Sequence, residues 1–166
     1  HGLTAVQARW MVARYGSLWK DVLAGPGGER LPPVLLVHGL SANRWMLDAG
    51  VERFSLAAFL ARHGFRTFAL DLRGHGDSRD APRRARDWTF DEYVTRDVPA
   101  ALEAIRRATG EDRVLWVGHS LGAVAGMVSC QLHAERVAAL VSIAGPVSFD
   151  AEGLVARYLG WGFLVD

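Results

Sequence analysis

Four short runs dominated by apolar residues recur along the chain, separated by polar or amphipathic stretches. The runs are Val34–Val37, residues 65–70, residues 114–117 and Val137–Ile143. A short, mainly apolar run is typical of a strand that is buried on both faces of a parallel sheet. The pattern therefore predicts four such strands.

Helical patterns fill the segments between the runs. Thr89 is a candidate N-cap with Glu92 three positions later, which is the spacing of a capping box, and Gly64 and Gly110 are candidate C-caps. Strands that alternate with helices are typical of right-handed βαβ crossovers. We therefore predict an α/β fold of three αβα layers with a mostly parallel sheet. The predicted helices cover residues 44–63, 89–108 and 121–133.

The two ends of the chain are harder to interpret. Residues 10–15 and 18–23 fit two strands of a hairpin, and a helix over residues 4–15 is the alternative. Residues 153–160 fit the start of a further helix. With the hairpin, about six strands form a single domain over residues 1–166. The first residue is not Met and the last follows a helix start closely, so we expect both ends to be cut.

Composition excludes several classes of protein. The chain has 166 residues, half of them hydrophobic, which suffices for one globular domain with a sizeable core. A net charge of +1 gives no electrostatic case for binding nucleic acid or an anionic membrane. Cys130 is the only cysteine, so no intrachain disulfide can form. There is no apolar run long enough to span a membrane and no signal-like segment, which predicts a cytoplasmic protein.

The candidate chemistry lies at Gly118-His119-Ser120-Leu121-Gly122, a G-x-S-x-G pattern between an apolar run and a helical segment. A sharp strand-to-helix turn holds its central serine in a strained backbone conformation, above the sheet and at a helix N-terminus. Gly118 and Gly122 fit because a Cβ at either position would clash where strand and helix fold back on each other. This context favours Ser120 as a nucleophile over a chance pentapeptide.

Two more motifs follow the preceding strands. His38-Gly39-Leu40 follows the run at 34–37, and residues 71–78, D-L-R-G-H-G-D-S, follow the run at 65–70. These two motifs and the serine motif, in this order and spacing, resemble the α/β-hydrolase superfamily. The resemblance spans residues 33–146. It implies a sheet of eight strands, with the cap and the last two strands beyond residue 166.

The resemblance also implies roles for individual residues. Ser120 matches the nucleophile, and the backbone N–H groups of Leu40 and Leu121 match the two donors of the oxyanion hole. A serine rather than an aspartate at the elbow argues against the haloalkane dehalogenase and epoxide hydrolase branches. It favours a small-molecule acyl substrate, with carboxylic esters first. We expect no cofactor and no metal, since no ligand spacing or dinucleotide fingerprint is present.

The rest of a catalytic triad is not evident. The resemblance places its acid and histidine after the last two strands, with Asp150 as a minor candidate for the acid. We interpret His38, His75, His119 and His133 as structural, and Asp71 and Asp77 as turn or capping residues. We therefore expect this chain alone to be inactive.

Three alternatives stay open. They are C–C bond hydrolysis, cofactor-free perhydrolysis at the same site, and a non-catalytic binding protein.

Without later strands, Val137–Ile143 forms an apolar sheet edge, which predicts self-association.

Overall fold

The computed structural model describes residues 31–79 and 88–146. The predicted hairpin or helix within residues 4–25, the predicted helix at 153–160 and the candidate acid Asp150 lie outside the described residues. The assignment of residues 1–166 to a single domain stays a prediction.

A four-stranded parallel sheet forms the centre of the described fold. Its spatial order is β2-β1-β3-β4, and each neighbouring pair is parallel. All four predicted strands are present. The second begins two residues later than predicted, because the Phe65 N–H bonds back to the Leu60 carbonyl. The strands are β1 (Val34–Val37), β2 (Thr67–Leu70), β3 (Val114–His119) and β4 (Val137–Ile143).

In the described residues, three α-helices of seven residues or more flank the sheet, and the first corrects a prediction. The segment 44–63 is not one helix. It forms two short 3₁₀ turns before a regular helix begins, because Gly50 has a positive φ of 70° and Ser55 caps a new start by accepting from the Ala58 N–H. The helices are α1 (Leu56–Arg62), α2 (Val98–Thr109) and α3 (Leu121–Leu132).

The approach to α2 contains a feature that the sequence did not predict. Thr89 and Glu92 form the predicted capping box, and the helical turn Phe90–Glu92 follows. A π-helical turn, Tyr93–Asp97, then precedes α2, which ends at Gly110 in the left-handed conformation. The wider turn leads directly to Pro99, which has no N–H to continue the α-helical ladder.

The sheet lies between two apolar clusters, which confirms the three-layer αβα fold. Alternate residues of β1 face opposite sides. Leu35 joins a cluster with residues of α2 and α3, including Ile105 and Ala125, whereas Leu36 joins a cluster with Ala57 of α1. The clusters fix the two layers of helices against the two faces of the sheet.

The strand β4 lies at an edge of the sheet that the described residues form. Its one partner there is β3, and the side chains of Val141 and Ile143 are 53% and 39% exposed. The edge position is as predicted from the sequence. The self-association inferred from it stays a prediction.

Candidate active site

Ser120 occupies a sharp turn between β3 and α3. Its φ of 49° and ψ of −115° lie in a region that side-chain-bearing residues rarely adopt, as the elbow motif predicts. The turn is held from both sides. The Ser120 N–H donates to the Ile143 carbonyl at 2.9 Å, and the Ser120 carbonyl accepts from Ala123 N–H at 2.9 Å. These bonds enforce a strained backbone that an isolated chain would avoid.

The two glycines of the motif allow three backbone segments to meet. A Cβ on Gly118 would lie 2.3 Å from the Gly122 carbonyl oxygen, and a Cβ on Gly122 would lie 2.3 Å from the Val37 carbonyl oxygen. The first turn of α3 therefore packs directly on the ends of both β3 and β1. This packing brings the segment after β1 to the side of Ser120.

Gly39 lies close to the serine. A Cβ on Gly39 would lie 2.8 Å from His119 Nδ1 and 3.2 Å from Ser120 Cβ. Leu40 follows directly and Leu121 begins α3, whose first N–H groups have no acceptor within a helix. Both candidate oxyanion donors thus lie on segments adjoining Ser120. That the two N–H groups converge on one point stays a prediction.

His38 is buried and both of its ring nitrogens have partners. Nε2 accepts from the Leu72 N–H at 3.2 Å, so this nitrogen carries no proton, and Nδ1–H donates to the Gly39 carbonyl at 2.7 Å. Burial lowers the pKa of His38 from its ordinary value of 6.5. A neutral ring with its lone pair occupied cannot take a proton from Ser120, which fits the structural role inferred from sequence.

The other described histidines differ in the hydrogen bonds that their ring nitrogens make. His63, His75 and His133 each bond a backbone carbonyl through one ring nitrogen, at 2.8, 2.9 and 3.3 Å respectively. His119 differs, because its Nδ1 is buried against Gly39 without a hydrogen-bond partner among the described residues. His119, which directly precedes Ser120 in the chain, is therefore the described histidine with a buried and unpartnered ring nitrogen.

A buried ion pair beside the site was not predicted from the sequence. Asp71, interpreted there as a turn residue, accepts a backbone hydrogen bond from Asp77 N–H at 3.0 Å, as a turn residue would. Its carboxylate also pairs with Arg44, 27 positions earlier. Nothing in the local sequence indicates that pairing, which depends on β1 and β2 lying side by side in the sheet.

Residues 31–79 and 88–146 contain no group of three or more His, Cys, Asp or Glu side chains arranged to hold a metal ion. No helix in the same residues is long and apolar enough to cross a membrane.

Comparison with known proteins identifies the class. The family model of the alpha/beta hydrolase fold matches residues 32–163, and the chain belongs to this family. Triacylglycerol lipase 2 of Arabidopsis thaliana is 35% identical over 115 residues, covering 64% of this chain and 27% of the lipase. Epoxide hydrolase A of Mycobacterium tuberculosis is 33% identical over 138 residues, covering 82% of this chain and 38% of that protein.

The solved structures agree with this assignment. An epoxide hydrolase from Solanum tuberosum superposes with a TM-score of 0.60 at 31% identity, over 81% of this chain and 40% of that one. The chain thus spans 27% to 40% of the length of these three relatives. Relatives of both names, lipase and epoxide hydrolase, are similar to this chain.

Proposed function

We propose that these residues carry the nucleophile of a serine hydrolase that acts on acyl compounds, with carboxylic esters as the first substrate class. The observation that carries the proposal is the backbone of Ser120, with φ of 49° at the junction of β3 and α3. Backbone strain of this kind persists at functional sites, where the strained conformation holds a side chain in position to react. A serine with only a packing role would gain nothing from such strain.

The proposed reaction begins with attack by Ser120 Oγ on the carbonyl carbon of the ester. The hydroxyl proton passes to a histidine base, and the carbonyl oxygen becomes an oxyanion. The N–H groups of Leu40 and Leu121 donate to that oxygen, and each fixed donor contributes about 3 kcal/mol to the transition state. The alcohol then leaves with a proton from the base, and water releases the acid from Ser120.

The residue at the elbow separates the two kinds of relative. An ester of the Ser120 hydroxyl is an acyl-enzyme, which water hydrolyses at the acyl carbon. The resemblance places an aspartate at this position in the epoxide hydrolase branch. Because Ser120 stands there, we favour the lipase-like chemistry, and epoxide hydrolysis becomes an outcome that the experiment can detect.

The test is covalent labelling with an alkyl fluorophosphonate, followed by peptide mass spectrometry. We expect the label on Ser120, and none in the Ser120→Ala variant. Ser142→Ala is the matched control, because Ser142 is an exposed serine that pairs in register with Gly118. Labelling spread evenly over several serines would contradict the proposal, and so would turnover of an epoxide by the Ser120→Ala variant.

We propose further that the 166-residue chain alone turns over p-nitrophenyl esters no faster than its Ser120→Ala variant. His38 has both ring nitrogens bonded, to the Gly39 carbonyl and the Leu72 N–H, and the hydrogen bonds described for His75 and His133 do not involve Ser120. An oxyanion hole without a base retains about 10³-fold over water, enough for slow labelling but not for easy turnover. Clear turnover that depends on Ser120 would contradict this and show that a histidine of this chain acts as the base, with His119 and His38 as the first to test by substitution.

The same chain is proposed to self-associate through β4. Its residues are almost all apolar, and the described strand carries no charge or proline that would block pairing with a second copy. Light scattering at increasing protein concentration tests this, and a monomer at every concentration would contradict it.

A further inference from the structure

We infer that Asp71 is a positioning residue for the β1 loop, residues 38–44, which carries Leu40. The Asp71 carboxylate is 4% exposed and lies directly after β2. Its Oδ1 accepts from the Arg44 backbone N–H at 2.7 Å, and its Oδ2 accepts from Arg44 Nη1. One buried carboxylate thus holds both the main chain and the side chain of the residue that ends the loop. The catalytic meaning of this role rests on the proposed function.

The β1 loop has a conformation that needs such anchors. Ser41 has a φ of 59°, which a residue with a side chain rarely adopts. The turn around it is closed by a long bond, from the Ala42 N–H to the Gly39 carbonyl at 3.3 Å. Strained segments keep their shape only where the surrounding structure determines it. The anchors lie at the two ends, with His38 bonded to Leu72 N–H and Arg44 bonded to Asp71.

The partner segment is built around the same carboxylate. In the β2 loop, residues 71–78, the Asp77 N–H also donates to Asp71 Oδ2, at 3.0 Å. Gly76 has a φ of 49°, and a Cβ there would lie 2.2 Å from Asp71 Oδ2. The β2 loop therefore closes around Asp71, and glycine at position 76 leaves room for the carboxylate.

The outer half of the ion pair contributes less. Arg44 Nη2 also bonds Asp77 Oδ2 at 2.6 Å, but the Asp77 side chain is 53% exposed. Water and salt screen an exposed pair, whereas a charge that loses its partner in a buried site is strongly disfavoured. Loss of the Asp71 charge should therefore disturb the loop much more than loss of the Asp77 charge.

The chain contains a matched control for this arrangement. Asp97 is also buried and accepts both the backbone N–H of Arg73, at 2.9 Å, and its guanidinium, at 2.6 Å through Nη2. None of the hydrogen bonds described for Asp97 involves residues 38–44. Asp97→Asn therefore removes an equivalent buried acceptor without touching the β1 loop.

Hydrogen exchange of the whole chain tests the inference directly. We expect Asp71→Asn to speed amide exchange in residues 40–46 on the order of 10-fold, relative to the other described segments. Asp77→Asn should have a smaller effect there, and Asp97→Asn none. Equal exchange of residues 40–46 in the Asp71 and Asp97 variants would overturn the inference. If the Asp71→Asn variant does not fold, the Arg44→Lys variant takes its place in the experiment. Lysine lacks the forked guanidinium with which Arg44 reaches both Asp71 and Asp77.

The second readout is the rate of fluorophosphonate labelling, measured as a function of reagent concentration. This gives two quantities, the maximal labelling rate and the reagent concentration at which the rate is half-maximal. A donor displaced by about 1 Å costs up to 10²-fold in rate. Asp71→Asn should therefore lower the maximal rate by about 10-fold or more and leave the half-saturating concentration unchanged. An unchanged maximal rate would overturn the inference. If Ser120→Ala labels like the unmodified chain, the proposed function fails, and the exchange data alone decide the role of Asp71.

Discussion

Substitution of Gly122 by alanine tests the packing that builds the site. A Cβ at this position would lie 2.3 Å from the Val37 carbonyl oxygen, which is 0.7 Å short of the 3.0 Å that real Cβ contacts respect. It would also lie 2.6 Å from the His38 carbonyl oxygen. These atoms belong to the main chain at the end of β1, which is paired on both sides. The clash therefore cannot be relieved by movement of a flexible side chain on α3 or β1.

Two opposing effects determine the size of the change. Alanine in place of glycine within a helix gains about 1 kcal/mol of helix propensity. Overpacking against a rigid neighbour costs about 3 kcal/mol, the upper end of the usual range, because the obstacle is backbone. We therefore expect Gly122→Ala to lower the free energy of unfolding by about 2 kcal/mol. For a chain of this size the melting temperature falls by about 4–8 °C.

Urea unfolding followed by tryptophan fluorescence measures this loss. The signal includes Trp116, which is buried and donates from Nε1 to the Gly122 carbonyl at 3.0 Å. Gly110→Ala is the control, because a Cβ there meets nothing within 4 Å and only its φ of 77° opposes the change. That cost is about 1 kcal/mol. A Gly122→Ala variant as stable as the unmodified chain would refute the packing argument.

Three further changes test other parts of the site. Ser120→Gly should raise the free energy of unfolding by about 1 kcal/mol in urea titrations, because glycine adopts φ of 49° freely, and should lose fluorophosphonate labelling. Because burial lowers the pKa of His38, its contribution to stability should be complete above pH 6.5 and decline as pH falls below that value; a His38→Gln variant with the same slope of stability against pH would contradict this. Val141→Lys should shift any dimer toward monomer in light scattering, by placing a charge on the β4 edge.

The strands and the elbow could be predicted because their signals are local. Val34–Val37 and Val137–Ile143 are apolar runs whose ends coincide with the strand ends. The glycines around Ser120 identify a close approach of backbone segments, and the structure has that approach. The Thr89–Glu92 capping box is likewise complete within four residues.

The features that were missed depend on contacts between distant parts of the chain. The Arg44–Asp71 pair joins residues 27 positions apart, and the two residues meet only because β1 and β2 are neighbours. The π-helical turn before α2 brings Asp97 to Arg73, 24 positions away. In the segment 44–63, apolar spacing favoured one helix, but Gly50 and the Ser55 cap divide it. The spacing of apolar residues alone does not reveal these interruptions of the helix.

Strand register explains why the residues of the candidate site meet at one place. Val37 of β1 pairs with Gly118 of β3, so two residues further on Gly39 lies beside Ser120. Val37 also pairs with Leu70 of β2, so Asp71 emerges next to the start of the β1 loop. A slip of one residue in either pairing would turn alternate side chains to the opposite face and separate these pairs. The two apolar clusters that fix the register therefore also hold the β1 loop against Ser120.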